Sequence, residues 1–290
     1  MKVTGFTIVR NAIKYDYPAV EAITSILPLC DEFIVAVGNS EDDTLALIQS
    51  IKSEKIRIIE TIWDDSLRKD GKVLAIETNK ALKAVSPDTT WGFYIQCDEV
   101  VHEKYHDTIR AAMQQYKDNP EVEGLLFKYT HFYGSFNYIA DSRKWYRNEI
   151  RVIRPTPRVS SYKDAQGFRN TDNTKLKVKP IEAYIYHYGW VRPPQKMAEK
   201  IRGISAFWHS TEEIEKIQPK ETPFDYTNID SLKNFTDTHP VVMQDRINKA
   251  DWNFQFNIKE KKYSFKNKAL MFIEKLTGWR IGEYRNYKII

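Results

Sequence analysis

Residues 91–102 read WGFYIQCDEVVH. An apolar, aromatic run leads straight into two adjacent carboxylates, Asp98 and Glu99. An unpaired carboxylate is costly to bury, so the pair must sit at a wet edge, cap a helix or hold a cation. The segments on either side narrow the choice.

Upstream, strand and helix signals alternate. VTGFTIVRN (3–11), EFIVAVG (32–38) and IRIIETIW (56–63) read as strands. DYPAVEAITSILPLC (16–30) has helical spacing, with Asp16 placed to cap and Pro18 in the first turn. SEDDTLALIQSIKS (40–53) starts a helix capped by Ser40 or Asp42, and GKVLAIETNKALKAV (71–85) is a third helix. Strands alternating with helices of this length predict a parallel sheet with right-handed crossovers, of which residues 91–100 are the fourth strand. Such sheets bind ligands beyond the carboxyl ends of their strands. Asn11, Asn39, Asp64, Asp65 and Asp98 all fall at or just past those ends.

Downstream the pattern changes. HEKYHDTIRAAMQQYKDN (102–119) reads as a helix stopped near Pro120. EGLLFKYTHFYG (123–134), NEIRVIRP (148–155) and AYIYHYGW (183–190) read as strands without long helices between them, a mixed or antiparallel extension of the sheet. From Pro193 the reading is helical, then polar to about Pro240, then a basic tail. No internal repeat or low-complexity segment is visible.

The chain has 290 residues, 42% of them hydrophobic and 29% charged, the balance of a protein with a real core. A net charge of +5 without an arginine-rich tract does not demand a nucleic-acid partner and suits anionic small molecules or anionic lipid surfaces equally. Two cysteines, Cys30 and Cys97, give no disulfide framework or zinc spacing, so a reduced, cytoplasmic setting is expected. The N-terminus is charged too early for a signal peptide, and no apolar run reaches the roughly 20 residues of a membrane span.

Several groups can carry chemistry. A carboxylate at the end of a central strand can ligate Mg²⁺ or Mn²⁺, whose shell is usually completed by water and substrate phosphates. Asp98 is the first ligand candidate and Glu99 the second, although both also fit a cap ahead of the helical segment at Glu103. In IYHYGWVRPP (185–194), His187 ends a predicted strand and fits either a metal shell or a structural imidazole. Arg192 and Lys196 follow it and would attract a diphosphate. VGNSEDDT (37–44) lets a backbone approach a ligand, with Asp42 or Asp43 able to accept from hydroxyls. Lys72 stands at a helix start, facing phosphate or solvent. In the segment 147–169, Arg151 lies among several arginines, and Asp164 sits in a loop suited to accepting a proton from a substrate hydroxyl.

Taken together, FTIVRN, VGNSEDDT, IWDDS, FYIQCDEVV and HYGW resemble a GT-A glycosyltransferase of the glycosyltransferase family 2 type, over roughly residues 3–200. The resemblance implies a Rossmann-like, mostly parallel central sheet flanked by helices. Residues 1–200 would form the catalytic domain, with a donor half to about 105 and an acceptor half from 106. Residues 201–290 would form a helical region with a basic amphipathic tail. In that family an Asp-X-Asp motif binds a divalent metal on the nucleotide-sugar diphosphate. Here the triplet is Gln96-Cys97-Asp98, which keeps only the second acid. By the same resemblance Asp98, Glu99 and His187 are metal-side, for Mn²⁺ or Mg²⁺. Arg10, Asn11, Asn39, Asp42, Lys72 and Gln96 are donor-side; Arg151, Arg192 and Lys196 lie on the phosphate or acceptor side; Asp164 is the catalytic base. A UDP-sugar donor is favoured, although Val37 replaces the acid that often contacts uracil. The acceptor would be a glycan or a lipid-linked one, in cell-envelope or polysaccharide synthesis, with inversion at the anomeric carbon.

Three other readings remain. One is a nucleotide-sugar-binding protein that keeps the fold and has lost turnover, as Gln96 suggests. A nucleotidyltransferase would need a glycine-rich basic loop after the first strand, which VRNAIKYDYP lacks. The tail, with Leu270, Met271, Ile273, Leu276 and Trp279 at amphipathic spacing, would either dock on the core or rest on anionic lipid at the inner face of a membrane.

Overall fold

The computed structural model describes residues 1–67 and 71–290, so the RKD of RKDGKVLA lies outside it. The first half runs β1 (Val3–Val9), α1 (Ala19–Ile26), β2 (Glu32–Gly38), α2 (Thr44–Gln49), β3 (Ile56–Thr61), α3 (Lys72–Lys83), β4 (Trp91–Tyr94), β5 (Glu99–Val101) and α4 (His106–Tyr116). Next come β6 (Gly124–Tyr133), β7 (Ser135–Ala140), β8 (Asn148–Ile153), β9 (Val159–Tyr162), β10 (Gly167–Asn170) and β11 (Leu176–Trp190). The remainder is α5 (Pro194–Ser205), α6 (Thr211–Ile217), β12 (Leu232–Asn234), α7 (Gln244–Asn248), α8 (Phe265–Thr277) and β13 (Tyr287–Ile289).

Strands β3, β2, β1 and β4 lie side by side and parallel. The sheet then turns antiparallel through β8, β6, β7 and β12. The long β11 runs parallel to β6 and antiparallel to β5. This is the mixed sheet expected from the sequence. Strands β1, β2 and β4 are buried on both faces, which is why FIVAVG (33–38) is an unbroken apolar run. In β2, Phe33, Val35 and Val37 pack into one layer with Ile23 and Ile26 of α1. Ile34 and Ala36 point the other way, into a layer with Ala81 and Leu82 of α3. Successive side chains alternate between faces, so one strand supplies two cores.

Three local expectations need correction. The segment 91–100 is two strands: β4 ends at Tyr94, and a turn closed by Glu99 N–H on the Gln96 carbonyl (3.0 Å) precedes β5. Asp16 does not cap α1; its φ is +50°, and its carboxylate accepts from Arg246 Nη1 at 2.5 Å. The C-terminal region is not wholly helical, because β12 and β13 return to the sheet against β7 and β11. No helix among the described residues is long and apolar enough to cross a membrane.

Candidate active site

The carboxyl ends of β1 and β4 open into a cleft of about 490 Å³. Its walls come from the loops after β1, β3 and β4, the β9–β10 turn and the C-terminal end of α5. Among the sequence candidates, Arg10, Asn11, Gln96, Asp98 and Asp164 line it. Tyr15, Tyr17, Trp63, Tyr94, Tyr146, Phe207 and Trp208 add an aromatic lining that no spacing signalled. Residues 203–208 belong to the cleft as well, and the 200/201 boundary falls within α5.

The two carboxylates of the opening motif part company. Asp98 faces the cleft. Glu99 turns into the core, where it and Arg151 are both fully buried. Arg151 grips it bidentately, Nε to Oε2 at 2.7 Å and Nη2 to Oε1 at 2.6 Å. Tyr129 OH donates to Oε1 at 2.7 Å and the Gln96 N–H to Oε2 at 3.2 Å. Burial alone would lower the Arg151 pKa, and Glu99 more than reverses this, holding it well above its usual value. Glu99 therefore has no oxygen left for a metal, and Arg151 none of its charge for a phosphate; both expectations are corrected. The pair has a different use. Arg151 Nη1 also donates to the Gln166 carbonyl at 2.8 Å, so one guanidinium ties the Asp98 turn to the Asp164 loop.

Asp164 lies in that loop between Lys163 (φ +53°) and Ala165 (φ +61°). Two left-handed non-glycine residues flanking one carboxylate store strain of the kind that clusters at functional sites. Among the described residues its carboxylate makes no hydrogen bond or ion pair, and it lines the cleft. Gln96 Nε2 donates to the Ala165 carbonyl at 3.1 Å, bracing the same loop. Gly71, at φ +63°, makes room beside it: a Cβ there would fall 2.9 Å from Asp164 Cβ and 2.6 Å from the Trp208 ring.

Around Asp98 three elements converge. His187 on β11 sets its Nε2 3.8 Å from Asp98 Oδ2. Lys200 on α5 donates from Nζ to Asp98 Oδ2 at 3.0 Å and to the Gly189 carbonyl at 2.7 Å. Gly189 permits the approach, since a Cβ there would stand 2.5 Å from His187 Nε2 and 2.9 Å from Asp98 Oδ2. Behind His187, His131 Nε2 donates to the Tyr146 carbonyl at 2.8 Å. Burial, with His187 beside it, pushes His131 down to about 3, so it is neutral and its Nδ1 accepts. The 3.1 Å contact between the two Nδ1 atoms then takes its proton from His187, leaving the His187 Nε2 lone pair toward Asp98. Burial opposes the charge on Asp98, but Lys200 leads the groups that outweigh it and hold its pKa far below the usual carboxylate range. Burial and neighbouring Arg192 lower Lys200 to about 8.

The other candidates do not reach the cleft. Arg192 is fully buried, donates to the Tyr15 and Gly189 carbonyls, and lies 5.1 Å from the Tyr17 ring, so it is a brace and not a phosphate contact. Lys196 is drawn to the Lys14 carbonyl and Glu199, and Lys72 is exposed at the start of α3. Asn39 and Asp42 shape loops instead of lining the cleft: Asn39 Oδ1 accepts from Trp63 N–H at 2.9 Å, and Asp42 accepts from Lys14 N–H at 2.6 Å and Thr44 N–H at 3.1 Å. Arg10 lines the cleft, pairs with Asp65 at 2.5 and 3.0 Å, and lies 5.5 Å from the Trp63 ring.

No family model and no curated protein matches the chain. Among solved structures it is similar to S. aureus TarS 1–349 in complex with UDP, at 15% identity over 75% of this chain and 70% of that one, TM-score 0.41. It is similar to glucosyl-3-phosphoglycerate synthase from Mycobacterium tuberculosis in complex with Mn²⁺, UDP and phosphoglyceric acid, at 20% identity over 45% and 43%, TM-score 0.30. It is also similar to 4-diphosphocytidyl-2C-methyl-D-erythritol synthase from Anaerococcus prevotii DSM 20548, at 10% identity over 53% and 71%, TM-score 0.35. All three scores lie below 0.5, and the site is therefore read from this chain's own contacts. Its architecture is a mixed α/β sheet with flanking helices and a polar, aromatic-lined cleft at the carboxyl ends of its parallel strands.

Proposed function

We propose that this chain is a glycosyltransferase that moves a sugar from a nucleoside-diphosphate sugar to an acceptor hydroxyl, with inversion at the anomeric carbon. One observation carries the reading: an ion-paired aspartate, Asp98, and one without a partner among the described residues, Asp164, line a single cleft on two loops that Arg151 ties together. A volume of about 490 Å³ suits a small-molecule ligand of this class. The acceptor oxygen attacks the anomeric carbon, the bond from that carbon to the diphosphate oxygen breaks, and Asp164 takes the acceptor proton. The transition state is oxocarbenium-like, as in glycoside hydrolysis. Arg10 and the aromatic lining hold the nucleoside side, a UDP-sugar being the first candidate.

The resemblance also implies Mn²⁺ or Mg²⁺. Asp98 Oδ2 and His187 Nε2 are the atoms that would hold such an ion, but the Lys200 ammonium already stands on Asp98 Oδ2 at 3.0 Å. When bound there the ion would neutralise charge on the departing diphosphate. Among the described residues no group of three or more His, Cys, Asp or Glu joins them, so water and phosphate oxygens would supply the rest.

The acceptor side includes a lipid surface in this reading. Phe265, Phe272, Leu276 and Trp279 are all more than 60% exposed, and Lys266, Lys268 and Lys275 lie among them. An apolar stripe on a lysine-rich helix matches an anionic membrane face, on the cytoplasmic side, with a lipid-linked or glycan acceptor.

The test is release of nucleoside diphosphate from a panel of nucleotide sugars. Asp164→Asn should lower kcat by about 10²–10⁴-fold with little change in KM. Nucleotide-sugar binding without any release would favour the non-catalytic alternative, which the use of Gln96 as a loop brace also suits.

A further inference from the structure

Lys200 is the one part of the Asp98 cluster that a divalent ion does not explain. Its ammonium lies on the same oxygen, Asp98 Oδ2, that the ion would take. It is held there by the Gly189 carbonyl at 2.7 Å and by the Tyr17 ring 5.1 Å away, and it is 6% exposed. It is therefore seated, not draped over the surface. A second cation is built in beside it: Arg192 donates to the same Gly189 carbonyl at 3.3 Å and lies 5.1 Å from the same Tyr17 ring, and its Nε has no partner among the described residues. Two buried cations beside one carboxylate leave the interior directly behind the Asp98 side of the cleft with net positive charge. A divalent ion on Asp98 Oδ2 would have to displace Lys200 or stand against it, because like charges on one oxygen repel strongly in a dry site.

We propose that Lys200 is the resident counter-cation of Asp98, so that the cleft receives a diphosphate without a divalent ion. This rests on the transferase reading for what the diphosphate is, but not for what sits on Asp98. Lys200 acts through Asp98 and the field of the wall, and is a positioning residue. Its side chain points inward from α5, one helical turn past Lys196, and closes the shell that Asp98 and His187 leave open.

The experiment has two arms. In the first, Mn²⁺ binding is followed by its electron paramagnetic resonance signal without nucleotide. Wild type should show no site tied to Asp98. Lys200→Met should gain one, tighter by about tenfold or more, and Asp98→Asn/Lys200→Met should lose it again. Lys200→Arg, which keeps the charge, should behave as wild type and covers the case in which Lys200→Met does not fold. A wild-type Mn²⁺ site abolished by Asp98→Asn would overturn the proposal. In the second arm, UDP, GDP and ADP are titrated by calorimetry in EDTA and in Mn²⁺. The best-bound nucleotide should bind wild type within about twofold in the two buffers, and Lys200→Met should lose about tenfold in EDTA. Binding by wild type only in Mn²⁺ would also overturn it. If none of the three binds in either buffer, the transferase reading falls while the Mn²⁺ arm still decides the role of Lys200.

Discussion

At the carboxyl end of the central sheet the chain buries charge, whereas along its C-terminal helix it exposes hydrocarbon. Glu99, Arg151, Arg192 and Lys200 are all almost wholly inside, yet Phe265, Phe272, Leu276 and Trp279 are each more than 60% exposed. Both regions invert the usual distribution, in which charge stays wet and large apolar groups go in. The cost is met differently. The buried charges are cross-braced: Arg151 alone holds Glu99, Ile150 and Gln166. Among the described residues the exposed face of α8 has no such bracing, and its opposite edge is tied down through Glu274 to Arg143 and Arg147. A braced internal charge network fixes a geometry, and an open apolar stripe awaits a surface.

The sharpest way to break the first region is Gly189→Ala. The added Cβ falls 2.5 Å from His187 Nε2 and 2.9 Å from Asp98 Oδ2. Nucleotide-sugar turnover should drop by about 10²-fold or more, since an ångström of misplacement costs that much, while circular dichroism stays that of the wild type. Arg151→Met comes next. It strands Glu99 in the core and should cost about 3–5 kcal/mol in urea unfolding, and Glu99→Gln/Arg151→Met should recover part of that.

A smaller effect concerns Glu149. Burial pushes its carboxyl up to about 8 against the pull of Arg151, with Gln166 Nε2 donating at 2.8 Å. A folded pKa raised above the unfolded value gives stability that is complete at acid pH and lost as pH rises toward 8. Wild type should therefore weaken between about pH 4.5 and 8, by at most about 1.4 kcal/mol per pH unit from this group. Glu149→Gln should flatten the curve. The smallest effect on folding belongs to α8: Phe272→Ser/Leu276→Ser should change stability by less than about 0.5 kcal/mol, as surface substitutions do. Yet it should abolish co-sedimentation with anionic vesicles. Unchanged co-sedimentation would remove the membrane from the account.

The comparison also separates what sequence could and could not reveal. The parallel half of the sheet was legible because EFIVAVG and its neighbours are apolar on both faces, a local property. That Asp98 and Asp164 line the cleft was legible because each stands in a loop that the local sequence marks. Glu99 and Arg151 were not, because their pairing spans 52 residues and joins two strands that meet only through the antiparallel extension. Lys200 was missed for a similar reason. In PPQKMAEKIRG it looks like any helix-surface lysine, and only the packing of α5 on the Gly189 carbonyl turns it inward. In the tail, the amphipathic spacing of Leu270, Met271, Ile273, Leu276 and Trp279 fits either docking on the core or a lipid surface; the first three are partly covered, while Leu276 and Trp279 join Phe265 and Phe272 in the open stripe.

The most direct test of the central claim is calorimetric titration of UDP and UDP-sugars into wild type and Asp98→Asn. The account expects saturable, one-site binding by wild type, displaced when Gly189→Ala closes the same gap, and an affinity altered at least about tenfold by Asp98→Asn. Equal binding by wild type, Asp98→Asn and Gly189→Ala would contradict it, because the nucleotide would then sit somewhere other than the cleft at the end of β4.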